Sequence, residues 1–118
     1  MSPLFSDTGQ FTITIEVVPP AGNDGSALLK KLAALSGLDF HAFSVASNPV
    51  AKPRMSAMVF SRLIQAICGR KAILHLTVRD HNRLGLQSEI WGAMASEIDT
   101  VIAVTGDPSA ANREVQAS

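Results

Sequence analysis

The sequence predicts an α/β chain of parallel (βα) repeat units, half of a (β/α)8 barrel, and three observations lead there. A strand-like run followed by a helical pattern recurs, with runs beginning near Phe11, Phe40, Ala72 and Thr100. That βαβαβαβ order is the sequence form of a parallel sheet with helices packed on it. Each run also has one large aliphatic face and one small or polar face, whereas a sheet covered by helices on both sides would be apolar on both. Finally, polar groups gather at the C-terminal end of each run, as Glu16, Ser47-Asn48, Arg79-Asp80 and Gly106-Asp107. In barrels and open α/β sheets alike, ligands bind at that end. A complete barrel takes ~250 residues and eight units, so four strands make half of one.

The first strand is read over Phe11 to Val18 and is stopped by Pro19-Pro20. Alternation places Phe11, Ile13, Ile15 and Val17 on one face and Thr12, Thr14, Glu16 and Val18 on the other. The first helix is expected from about Ser26 to Ser36, with Ser26 as N-cap, Leu28, Leu29, Leu32 and Leu35 buried and Gly37 as its stop. In the second strand Phe43 and Val45 oppose Ala42, Ser44 and Ala46. The second helix follows Pro53-Arg54-Met55 and carries Met58, Val59, Leu63, Ile64 and Ile67 toward the core before Gly69.

In the third strand Leu74, Leu76 and Val78 oppose His75, Thr77 and Arg79. The third helix begins near Asn82 and is expected to bury Leu84, Leu86, Ile90, Trp91, Met94 and Ile98. In the fourth strand Ile102 and Val104 oppose Ala103, Thr105 and Asp107. Glu16, His75, Thr105 and Asp107 are thereby expected on one small, polar face. Residues 1–10 read as a lead-in, 11–108 as one half-barrel domain, and 109–118, rich in Ala, Ser and polar groups, as a flexible tail.

Composition narrows the classes of partner. Ten basic residues balance ten acidic ones, and no Lys/Arg run forms a nucleic-acid footprint, so a small molecule is expected rather than DNA or RNA. No apolar run is long enough to span a bilayer and no signal peptide is visible, which makes a reducing cytoplasm the default. Cys68 alone allows neither an intramolecular disulfide nor a multi-Cys metal site, and no metal is expected.

Glu16 stands at the end of a strand on its more polar face, where a carboxylate is costly to desolvate without partners. Two readings are open from the residues alone: a carboxylate that meets water or a lysine, or a proton donor at a site. His75 has a core reading as well, a neutral imidazole bonded to a neighbouring strand. Gly106-Asp107-Pro108 by itself reads as a turn.

Taken in order and spacing, Glu16 with Pro19-Pro20, Ser47-Asn48-Pro49 leading to Lys52-Pro53-Arg54-Met55-Ser56, His75 through Arg83, and Val104-Thr105-Gly106-Asp107-Pro108 resemble the methylenetetrahydrofolate reductase family. The resemblance implies a TIM-type barrel flavoprotein oxidoreductase of one-carbon metabolism and methionine biosynthesis. Its FAD, reduced by NADH or NADPH, passes a hydride to 5,10-methylenetetrahydrofolate, giving 5-methyltetrahydrofolate. It implies Glu16 as general acid and Asp107 as a fixed charge beside flavin and pterin, with His75, Val104, Thr105, Gly106 and Asp107 against the cofactor. The Arg79-Asp80-x-Asn82-Arg83 stretch fits a loop pinned by an ion pair and a cap for the third helix. Lys52 and Arg54 are read as solvated cations or as attractors of phosphate or the folate's acidic tail.

Two departures stand out. Some relatives carry a flavin-contacting Thr where this chain has Ala46, and the family's fifth to eighth strands have no counterpart in these 118 residues. A half-barrel has open strand edges that favour pairing with another chain, so a homo-oligomer or a second half-barrel chain is expected as partner. The rival expectation is a truncated, non-catalytic half-barrel or interaction subunit that does not hold flavin alone. A pterin- or corrinoid-linked barrel acting on folates is a third.

Overall fold

The structure, a computed structural model, describes residues 11–107. The expected lead-in over 1–10 and tail over 109–118 lie outside the described residues. Four parallel strands, β1 (Thr14–Val17), β2 (Ala42–Val45), β3 (Ala72–Thr77) and β4 (Val101–Val104), are ordered as in sequence. They alternate with the helices α1 (Ser26–Leu35), α2 (Ala57–Cys68) and α3 (Arg83–Ala95). This is an α/β fold consistent with part of a TIM barrel.

One apolar layer joins sheet and helices. Val17, Phe43, Val45, Ala72 and Leu74 from the strands pack with Leu29 and Leu32 of α1 and Ala57, Phe60 and Ile64 of α2. Buried aliphatic and aromatic groups of this size each contribute about 1.5–3 kcal/mol relative to exposure. At Gly25, an added Cβ would stand 2.8 Å from the Phe60 ring, so a side chain there would push α1 off α2.

Several local expectations are corrected. β1 is shorter than read, because β2 begins only at Ala42 and, among the described residues, no strand pairs with those before Ile13. Ile13 is the first to pair, through His41, while Phe11 is almost fully exposed. Ser26 is the first helical residue rather than the cap; Gly25 precedes it, and the Asp24 carboxylate accepts from the Ser26 backbone and hydroxyl. Those hydrogen bonds hold the Asp24 carboxyl below its ordinary range.

The end of α1 is likewise not made by Gly37. Arg70, following α2, donates to the carbonyls of Ser36, Leu38 and Phe40 and lays its guanidinium 3.9 Å over the Phe40 ring. Within the helices, Val59 and Ile67 of α2 are exposed while Phe60 and Ser61 are buried. α3 departs furthest: Leu84, Ile90, Trp91 and Met94 are exposed, and Ala93 is its one buried residue. Ala93 is the residue of α3 that joins the core, half-buried Leu86 lies on the same side two turns earlier, and the larger side chains lie around the cylinder from it.

Face assignments hold for three strands and reverse for the fourth. Directly paired residues share a face, and the register pairs Glu16 with Ser44, Ser44 with Ile73, His75 with Ile102 and Thr77 with Val104. Ile102 and Val104 therefore lie with Glu16, Ser44, His75 and Thr77, while Ala103 lies with the aliphatic face of Leu76. Pairing with β3 fixes this orientation, and large side chains on β4 say nothing about which way it turns. Among the described residues no helix is long and apolar enough to cross a membrane, and no cluster of His, Cys, Asp and Glu could hold a metal ion.

Candidate functional site

The C-terminal ends of all four strands border one cleft of about 160 Å³. Glu16 enters from β1, Ala46, Ser47 and Asn48 from the segment after β2, His75, Thr77 and Arg79 from β3 and its extension, and Val104, Gly106 and Asp107 from β4. Parallel pairing in a one-step register brings these ends to the same level. No long-range feature beyond the three crossovers is needed to assemble them.

Glu16 is exposed at the mouth of this cleft. His75 is half-buried, and its Nε2 lies 2.6 Å from Ser44 Oγ. Burial holds the His75 imidazole below its ordinary pKa, and the charge of Glu16 opposes that in part. The neutral ring is thus the favoured form near neutral pH.

Gly106 takes φ +79°, a backbone conformation open to glycine, and an added Cβ would collide with Thr77 Cγ2 and crowd the Arg79 guanidinium. This turn carries Asp107 back to the cleft although strand alternation does not. Val104 reaches the cleft through the reversed face of β4. Thr105 is exposed and does not line it, so four of the five residues expected against a cofactor converge and Thr105 stands apart.

Arg79 holds the rim together. Its Nε donates to Asp80 Oδ1 at 2.8 Å, and one terminal nitrogen donates to Asp80 Oδ2 at 2.9 Å and to the Asn48 carbonyl at 3.1 Å. The other terminal nitrogen donates to the Asp107 carbonyl. Asn48 closes the ring of contacts, its amide donating to Asp80 Oδ2 at 3.0 Å and its carbonyl oxygen Oδ1 accepting from the Arg54 backbone at 2.9 Å. Asp80, bonded by Arg79 and Asn48, is held below the usual carboxylate range, and Arg79 is raised by the same pairing. The expected Arg79 and Asp80 pair and the Asn82 cap of α3 are both present, the cap accepting from the Gly85 backbone at 2.7 Å.

One contributor is not legible in the sequence: Ser44 shows only as a small residue on a polar face. Arg79 is expected as the ion-pair partner of Asp80, and the structure adds its contacts to the Asn48 and Asp107 carbonyls. Lys52 borders a separate rim hollow of about 200 Å³ with Asn48, Pro53 and Asp80. Lys52 and Arg54 are exposed.

The family model for methylenetetrahydrofolate reductase matches residues 4–118. No curated protein matches the chain. With the strand-end carboxylates, His75 and the Gly106-Asp107 turn around one cleft, and with that match across nearly the whole sequence, the chain belongs to the methylenetetrahydrofolate reductase family.

Proposed function

We propose that the chain supplies one half of a site in which FAD mediates hydride transfer from NADH or NADPH to 5,10-methylenetetrahydrofolate. The observation that carries this reading is the convergence of Glu16, His75, Gly106 and Asp107 on one cleft at the strand ends. The donor set fits one edge of a flavin ring: a neutral imidazole, the Asn48 amide and the backbone of the Gly106 turn, where a Cβ has no room. His75, Val104, Gly106 and Asp107 would hold that edge, and bound FAD would supply the hydride.

Glu16 then delivers a proton to the departing nitrogen as the folate's five-membered ring opens, its exposed carboxyl leaving a path from solvent. Asp107 holds a fixed negative charge that favours the cationic iminium form of the folate. Arg79 positions Asp107 by its backbone carbonyl. A cytoplasmic setting and pairing of the outer strands β1 and β4 with a second copy or a second half-barrel chain complete the proposal.

A second reading has its own observation. A cleft of about 160 Å³ admits a ring edge and not a whole dinucleotide, and Ala46 offers no hydroxyl, which favours a subunit that does not hold flavin alone. Absorbance distinguishes the two. A purified chain that takes up FAD, turns yellow and bleaches with NADH or NADPH supports the catalytic reading, and Glu16→Gln should then spare bleaching while lowering folate reduction by roughly 10²–10⁴-fold. A colourless chain with no spectral change on added FAD rejects it for the chain by itself.

A further inference from the structure

We propose that Ser44 is a positioning residue that holds His75 as the neutral tautomer protonated at Nδ1, so that the cleft is offered a hydrogen-bond donor. Ser44 sits mid-strand on β2, paired with Glu16 on one side and facing His75 of β3 on the other, and is 8% exposed. Its hydroxyl has one partner among the described residues, His75 Nε2 at 2.6 Å.

Two arrangements of protons are compatible with that contact. If Nε2–H donated to Oγ, the Ser44 O–H would be left as a donor with no acceptor in a nearly buried strand, which is unfavourable. If Oγ–H donates to Nε2, the hydroxyl is satisfied, Nε2 accepts, and the ring proton must be on Nδ1. The surroundings agree with a neutral ring. On β4 the residue paired with His75 is Ile102, and the charge that acts on it is that of Glu16 on β1. Burial and Ile102 disfavour imidazolium, and Glu16 opposes them only in part.

The consequence is a choice of ligand chemistry. An Nδ1–H donor complements a carbonyl oxygen or an unprotonated ring nitrogen and rejects another N–H. That the acceptor belongs to a flavin rests on the function proposed above; the tautomer does not.

The test is ¹⁵N-edited long-range NMR of the His75 ring in the 118-residue chain near pH 7.5, for wild type, Ser44→Ala and Ser44→Thr. Expected are an Nδ1–H ring in wild type, a gain of the Nε2–H form in Ser44→Ala with unchanged backbone shifts elsewhere, and return of Nδ1–H in Ser44→Thr. A wild-type ring protonated at Nε2, or the same tautomer in Ser44→Ala, overturns the proposal. A parallel FAD titration separates the two questions. Roughly tenfold weaker binding in Ser44→Ala, about one hydrogen bond's worth, restored in Ser44→Thr, extends the proposal to flavin. Binding that Ser44→Ala leaves unchanged rejects that extension, and no binding by wild type rejects the flavin reading, while the ring spectra decide the tautomer on their own.

Discussion

At Gly106 a single backbone dihedral decides whether Asp107 reaches the cleft. Replacement by Ala would place a methyl against Thr77 and Arg79 in a left-handed conformation, and strain of this kind costs of order 1–3 kcal/mol. Gly106→Ala should therefore lower the denaturant midpoint and loosen the rim, seen as faster backbone-amide hydrogen exchange in that segment. Val50 presents the converse case: a β-branched residue, mostly exposed, at φ 53° with Asn48 and Ala51 also left-handed beside it. Asn tolerates that region and Val does not. Val50→Asn should raise stability by about 0.5–1 kcal/mol in urea melts, since so exposed a side chain loses little burial.

At the scale of elements, α1 is finished by a residue from beyond α2. Arg70 satisfies three carbonyls after the helix and stacks on Phe40. Such side-chain hydrogen bonds to a charged group contribute about 1.5–3 kcal/mol each at most, and truncation removes the donor from the part-buried Ser36 and Phe40 carbonyls, while Leu38 keeps the Phe40 backbone N–H. Arg70→Ala should cost about 2–4 kcal/mol, and Arg70→Lys should recover only part, because a point charge neither spans three acceptors nor stacks. This tie was illegible from sequence, where Gly37 offered a local stop and nothing linked residue 70 to residue 38. The order of elements was legible because periodicity changes cleanly from two to 3.6 three times over. The strand ends were legible too, since polar residues follow each apolar run. The facing of β4 was not: four residues, Val101–Val104, are all aliphatic or small, so their orientation follows from pairing with β3. Burial on α3 failed for a related reason, that a helix with apolar residues over much of its circumference does not announce which side meets the sheet.

For the molecule as a whole, two properties join site and stability. The first is pH. His75 has a folded pKa below its ordinary 6.5, set first by burial, so the unfolded chain binds that proton more readily. Its contribution to stability is complete above about 6.5 and is lost as the pH falls from there through the folded value. Urea midpoints measured from pH 8 to pH 5 should decline in wild type, and His75→Asn should flatten that decline. The second is the outer surface. Trp91 and Met94 of α3 are about two-thirds exposed, Val101 of the outer strand β4 shares a hollow with Met94, and Ile102 is partly open on the other face of that strand. Apolar groups so placed are stabilised by contact with another chain, and an unpaired parallel strand gains hydrogen bonds from one. If the proposed pairing with a second copy is correct, light scattering should give a mass above the 12.5 kDa of one chain. The emission of Trp91, the single tryptophan, should also move to the blue as concentration rises, and Met94→Lys should delay both changes to higher concentration. A constant monomer mass with an unshifted, water-exposed emission across the micromolar range would remove self-pairing and leave a second half-barrel chain as the partner to seek.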